Sequence, residues 1–280
     1  MNQAPPSVRK EYSVDIKNAM EALSKDGATP KWGCGLAQLE RRNVFIGELS
    51  RVGIKKPDLI GKPSVRNDAA FLTTLVGVTS VIAVAAGSLP GDWGFFVPYL
   101  TGAIVLVVLA VGSTAPGLLA FVIGRFAQVF PDYRERVLRH EAAHFLAGYL
   151  MRVPVTGYSL DIGKAHTDFA EAKLQQRLVE RKLSDEEINQ LAVVAMAGAT
   201  AEAMNYDQVQ GQVADLTDLQ RILQRSEQKL SNAQQQNMTR WAVYSAATML
   251  TKYKKEYQAL QTAMQQRASI DKCVAAIEQT

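Results

Sequence analysis

Polar and apolar residues separate along this chain over stretches of tens of residues, and the separation predicts its organisation. From Ala69 to Gly124 the only charged residue is Asp92, while both flanks are dense in Lys, Arg, Asp and Glu. Ala69 to Leu89 is a nearly unbroken apolar run of ~21 residues, which at ~1.5 Å per helical residue matches the ~30 Å hydrocarbon core of a bilayer. Pro90, Gly91 and Gly94 then predict a turn with Asp92 at its polar tip, and Trp93, Phe95 and Phe96 stand where an interfacial aromatic belt would lie. A second apolar run, Val97 to Gly112, returns, so the predicted spans are about 69–89 and 95–113. Beyond Pro116, Arg125 and Gln128 interrupt an apolar stretch in the manner of an amphipathic helix at the interface, about 117–129.

The flanks read differently. Residues 1–67 are polar and mixed, with helices expected near Val14 to Leu23 and Leu36 to Arg51, separated by Gly27, Pro30, Gly33 and Gly35. Residues 131–280 read as a mostly helical soluble domain. Ser184 with Glu187 and Ser231 with Gln234 each fit a capping box, which starts helices at about 185–204 and 232–255. Leu216 to Leu230 has apolar residues at helical spacing, and Val153 to Ile162 is the one good strand candidate. The expected fold is therefore mainly α: an N-terminal helical segment (1–67), a two-helix transmembrane hairpin with an interfacial helix (68–130), and a helical domain with at most a small β element (131–280).

Charge refines this picture. Lys55, Lys56, Lys62 and Arg66 precede the first span and Arg125, Arg134, Arg136 and Arg139 follow the second, which places both termini on the cytosolic or stromal side. A hairpin buried inside a soluble protein is the alternative, and a single charge across that run argues against it. The formal net charge is only +4 and the basic residues are dispersed, which disfavours nucleic acid as a partner. Cys34 and Cys273 stand far apart without a CxxC partner, so both are expected as reduced thiols in a cytosol-like compartment. The first ~25 residues carry Glu11, Asp15, Glu21 and Asp26 and no apolar core, unlike a secretory signal or an acidic-poor transit peptide.

The candidate chemistry lies in the helical domain. Asp132 with Glu135 suggests a helix start, and the following run contains His140-Glu141-Ala142-Ala143-His144. Imidazoles four residues apart project from one helical face about a turn apart, where both can bind a shared Zn²⁺ at ~2.0–2.1 Å. Glu141 is then placed to act as the base toward a water activated by the metal, a combination suited to peptide-bond hydrolysis. A catalytic zinc takes three protein ligands and leaves the fourth position open. Spacing leaves three candidates for the third: His166 in the loop after the strand, Glu202 on an Ala-rich helix, and Asp215 near a helix start, where it could equally serve as an N-cap. Asp218, one turn later, reads as a solvated helix residue.

The motif HEAAH resembles the HEAGH of the FtsH family of membrane zinc proteases. Downstream, Ala195 to Glu202 is similar to that family's GGRAAEE segment, and Gly211 to Leu216 to its GASNDI segment. The resemblance covers residues 131 to about 260 and is close only in these three segments. It implies an FtsH-type peptidase domain with Asp215 as third zinc ligand, Glu202 as an orienting partner of a ligand, and protein or peptide substrates. It departs from the family at one point. No G-x-x-x-x-G-K-[ST] occurs anywhere, so the ATPase module is missing and ATP is not an expected ligand. In this the chain is similar to ATPase-less FtsH-like proteins of chloroplasts and cyanobacteria, whose Gly-Asp-Trp-Gly turn and Asp-Tyr-x-Glu-Arg approach it shares. The resemblance implies an ATP-independent metalloendopeptidase in thylakoid protein quality control. It leaves two alternatives: a non-proteolytic scaffold or assembly factor, and a partner subunit of FtsH complexes or of a self-assembly.

Overall fold

The structure is a computed structural model that describes residues 6–62, 66–127, 130–161, 165–169 and 182–280. It divides into two compact units, one made of residues 1–63 and 135–280 and the other of residues 64–134. Eleven α-helices and one small sheet account for the regular structure among the described residues, in agreement with the expected mainly α class.

The unit of residues 64–134 is built on α3 (Arg66–Ala86), α4 (Trp93–Thr114) and α5 (Pro116–Ala127), with α3 against α4 and both touching α5. Gly91 takes the left-handed conformation that the tight connection requires, at φ 67°. Gly94 is needed for a different reason, since a Cβ there would lie 2.6 Å from the Leu89 carbonyl oxygen. Asp68–Ala86 and Trp93–Thr114 are long and apolar enough to cross a membrane, and only 6% of either is buried. Helix α5 ends at Ala127, and the last two positions of the expected interfacial helix, 128 and 129, lie outside the described residues.

The larger unit contains α1 (Pro6–Lys25), α2 (Ile46–Arg51), α6 (Tyr133–Leu150, from Glu135 onward), α7 (Asp185–Asn205), α8 (Gln212–Leu223), α9 (Asn232–Lys252), α10 (Lys254–Gln265) and α11 (Ile270–Glu278). Helix α7 lies at the centre of this unit. Its small residues Ala192, Ala197, Gly198, Ala199 and Ala201 are all buried, which lets α8 and α9 approach it closely. Both expected capping boxes form: Ser184 Oγ accepts from the Glu187 amide at 3.3 Å and Ser231 Oγ from the Gln234 amide at 3.3 Å. Helix α9 ends at Lys252 rather than continuing to 255, because Tyr253 leaves helical geometry before α10 begins.

Helix α8 ends at Leu223, so the helical spacing read from Leu216 to Leu230 is helical only in its first half. Two larger expectations fail. Leu36 to Arg51 is not one helix but a 3₁₀ turn (Leu36–Gln38), an extended stretch and the short α2. Helix α9 competes for the backbone there. Trp241 Nε1 donates to the Glu40 carbonyl at 3.0 Å, Arg240 Nε to the Val44 carbonyl at 2.9 Å, and the Val44 amide donates to Asn237 Oδ1 at 3.0 Å. These bonds satisfy polar groups that a helical ladder would otherwise claim. The second failure is a missed strand. Besides β1 (Val155–Ser159) there is β2 (His166–Phe169), paired antiparallel with Thr167 opposite Tyr158 and an irregularity between Val155 and Gly157. His166 therefore sits on a strand, not in a loop; Ile162, the end of the expected strand, lies outside the described residues.

Candidate metal centre

Helix α6 presents two working faces. Arg136, His140 and His144 recur every four residues and form one stripe, while Glu141, Phe145 and Gly148 form another at i, i+4 and i+7. The first stripe meets α7 and the start of α8. The second meets the β-hairpin, where Phe145 lies edge-on to Tyr158 at 6.4 Å and Gly148 has no side chain to obstruct Phe169. A Cβ at 148 would sit 2.5 Å from the Phe169 ring.

Among the described residues, His140, His144 and Asp215 form a buried group that could hold a metal ion. The two Nε2 atoms are 3.1 Å apart, and Asp215 Oδ1 lies 3.4 Å from that of His140 and 3.3 Å from that of His144. Three ligands on one face of a tetrahedron with ~2.0–2.1 Å bonds are separated by roughly 3.3–3.4 Å, so the triangle has the right size for a three-ligand site with a fourth position open. Asp215 comes from the first turn of α8, whose N-cap is Gly211, so it does not serve as the N-cap. Its Oδ2 instead accepts the backbone amide of Ala199, on α7, at 2.8 Å, which fixes the direction of Oδ1.

The far sides of the rings decide their protonation. His144 Nδ1 lies 2.8 Å from the Val194 carbonyl, which can only accept, so Nδ1 carries the hydrogen. His140 Nδ1 lies 2.9 Å from Glu202 Oε1 and by the same reasoning donates to it. Each ring therefore turns its Nε2 toward the other and toward a carboxylate oxygen. Three electron-rich atoms converge at hydrogen-bond distance, an arrangement that a proton or a metal cation between them would satisfy.

The surroundings strengthen that need. Among the described residues the buried charged side chains are Arg136, Glu141, Glu202 and Asp215, with His140 beside them, all between 3% and 9% exposed. Arg136 lies beside Glu202, and these buried side chains comprise one guanidinium and three carboxylates, an excess of negative charge that a bound cation would offset. Burial opposes charge on the two rings, but the Asp215 carboxylate beside both, together with Glu202 beside His140, overcomes it and holds both imidazoles above their usual range, His140 well above. Burial would raise Asp215, yet the two rings hold it well below the usual carboxylate range.

Glu202 organises the next layer. Its carboxylate accepts His140 Nδ1 and the backbone amides of Gln210 and Gly211 at 2.8 and 3.0 Å, so it ties α7 to the turn that delivers Asp215. Arg136 lies 3.5 Å from Glu202 Oε2, donates to the Gln208 carbonyl at 2.9 Å and stacks over Tyr206 at 3.8 Å. Two glycines make room. A Cβ at Gly198 would lie 2.4 Å from Nε2 of both histidines, and one at Gly211 would lie 2.5 Å from His140 Cε1 and 2.7 Å from Glu202 Oε1.

Of the three candidates for the third position, the structure thus brings Asp215 to the imidazole pair. Glu202 reaches the back of His140 instead, and His166 is exposed on β2 with Nε2 3.3 Å from Asp168 Oδ2. Asp218 is exposed and pairs with Arg221 at 2.8 Å. Glu141 is buried beside the pair, and its Oε2 accepts the Thr167 hydroxyl at 2.8 Å. Sequence reasoning missed Arg136, Thr167, Gly198 and Gly211. Arg136 had a signal, one turn before His140 on the same stripe, and so did Gly198, a glycine in the interior of a predicted helix. Compared with known proteins, the chain matches no family model, no curated protein and no solved structure.

Proposed function

We propose that this protein is a membrane-anchored, ATP-independent zinc metalloendopeptidase. The observation that carries the reading is the convergence of His140 Nε2, His144 Nε2 and Asp215 Oδ1 into a three-ligand triangle with Glu141 buried next to the first ligand. Two neutral imidazoles and one carboxylate are a donor set suited to zinc. Held by His140, His144 and Asp215, zinc would supply Lewis acidity toward a peptide carbonyl and an attacking water. Glu141 takes the proton of the attacking water and passes it to the departing amine. Glu202 holds His140 in the tautomer that offers Nε2, as the Val194 carbonyl does for His144.

The two long apolar helices support a hairpin anchor, and two spans return the chain to its starting side. The basic residues flanking the hairpin favour the cytosolic or stromal face. On the resemblance of the three zinc segments to FtsH peptidases, the substrates are membrane-associated proteins and the membrane is a chloroplast thylakoid or its cyanobacterial counterpart. The test compares casein cleavage by the full-length, zinc-loaded protein and its Glu141→Gln variant. Cleavage cut to a small residual rate by the substitution supports the reading; equal turnover in both overturns it.

A further inference from the structure

We propose that Thr167 is a positioning residue for Glu141, holding one carboxylate oxygen through its hydroxyl so that the other faces the reacting water; the inference rests on the hydrolase reading above. A general base must be in hydrogen-bond reach of the proton it takes and in the right orientation, yet a glutamate on a helix has three rotatable bonds with which to miss it. The metal ligands do not supply this restraint. Among the described residues, the hydrogen-bond donor that engages the Glu141 carboxylate is the Thr167 hydroxyl, 2.8 Å from Oε2. The same hydroxyl is 3.2 Å from the Glu141 carbonyl, but it has a single hydrogen, and the shorter contact to the charged acceptor takes it.

The clamp is built to be stiff. Threonine is restricted at χ1, and its backbone is paired across the sheet with Tyr158. Tyr158 is anchored twice, by its hydroxyl to the Ala268 carbonyl at 2.6 Å and by its ring against Phe145. Phe169, two residues beyond Thr167 and so on the same face of β2, presses on α6 at Gly148. The hairpin thus touches α6 at Glu141, Phe145 and Gly148 along one stripe, and its distance from the helix is set by contacts at the other two points. A hydroxyl delivered in this way leaves Oε1 as the oxygen available for proton transfer.

The experiment uses full-length, zinc-loaded protein in mild detergent hydrolysing fluorogenic casein. It compares wild type, Thr167→Val, Thr167→Ser, Glu141→Gln and the double variant Glu141→Gln with Thr167→Val. Valine keeps the shape of threonine and removes the hydroxyl. We expect kcat to fall roughly tenfold in Thr167→Val, with KM and zinc content unchanged and most of the loss recovered in Thr167→Ser. In the Glu141→Gln background the valine substitution should cost nothing further, because both changes remove one unit. Wild-type kcat in Thr167→Val, a loss that serine does not recover, or the same loss without Glu141 would each overturn the proposal. Glu141-dependent turnover indifferent to Thr167 leaves the hydrolase reading standing. Wild-type turnover no faster than that of Glu141→Gln removes that reading and this inference with it.

Discussion

Substituting alanine for Gly198 should weaken zinc binding at the proposed site while leaving the helix intact. In the interior of a helix such as α7, Gly→Ala ordinarily stabilises by about 1 kcal/mol. Here the added Cβ would lie 2.4 Å from both Nε2 atoms and 2.5 Å from His140 Cδ2, against an unstrained separation of ~3.5 Å. Relief requires each ring to retreat by roughly 1 Å, several times the tolerance of ~0.2 Å on a coordination bond. Zinc affinity should therefore fall at least ~100-fold, equivalent to about 2.8 kcal/mol. Overpacking costs of ~1–3 kcal/mol, offset by the helical gain, leave the metal-free protein near or moderately below wild-type stability. Competition titration against a chromophoric chelator measures the first quantity, and thermal melts with and without EDTA the second. Added zinc should raise the melting temperature of wild type and leave that of Gly198→Ala unmoved. A variant that binds zinc as tightly as wild type, or that simply becomes more stable, would refute the placement of this glycine against the metal ligands.

Glu202→Gln should lower zinc affinity by ~10–100-fold, because His140 loses the carboxylate that fixes its tautomer; unchanged affinity in the chelator competition would confine Glu202 to tying down the turn at Gln210 and Gly211. Zinc retention should decline on acidification sooner than at an unperturbed pair of imidazoles, since protons compete for rings whose metal-free pKa values are raised. The EDTA-treated protein has the opposite dependence: raised histidine pKa values stabilise the fold fully below the unfolded value of ~6.5, and that contribution is lost as pH rises through the folded values. Its melting temperature should thus drop between pH ~6.5 and alkaline pH, and Asp215→Asn should flatten the drop; a flat profile in wild type would contradict the charge coupling. If α3 and α4 span a bilayer, alkaline carbonate should leave the protein in the membrane pellet, and release into the supernatant would contradict the anchor.

Much of this site is legible in the amino-acid sequence, for physical reasons. The His140, Glu141 and His144 spacing encodes its own geometry, because one helical turn fixes which side chains share a face. Spacing does not single out Asp215, since its approach depends on how α8 lies against α7, a tertiary fact. The resemblance points to it, and the structure brings it to the pair. Thr167 is invisible for a related reason. Strand β2 has only four residues, exposed and half-buried in alternation, and no apolar pattern announces it. The failed helix at Leu36 to Arg51 teaches the converse lesson: helical spacing is present, but Trp241, Asn237 and Arg240 of α9 offer the backbone other partners. The two apolar helices and both capping boxes can be read directly because each is a local feature.

Three side chains from two helices, α6 and α8, are proposed to hold one divalent ion together, and every chemical step assigned to Glu141 depends on it. Elemental analysis of the full-length protein, purified in mild detergent and dialysed against buffered zinc, tests this most directly when wild type and Asp215→Ala are measured side by side. One zinc ion per wild-type chain and almost none in the variant is the expected result. Wild-type protein without stoichiometric zinc, or full zinc retained in Asp215→Ala, would contradict it.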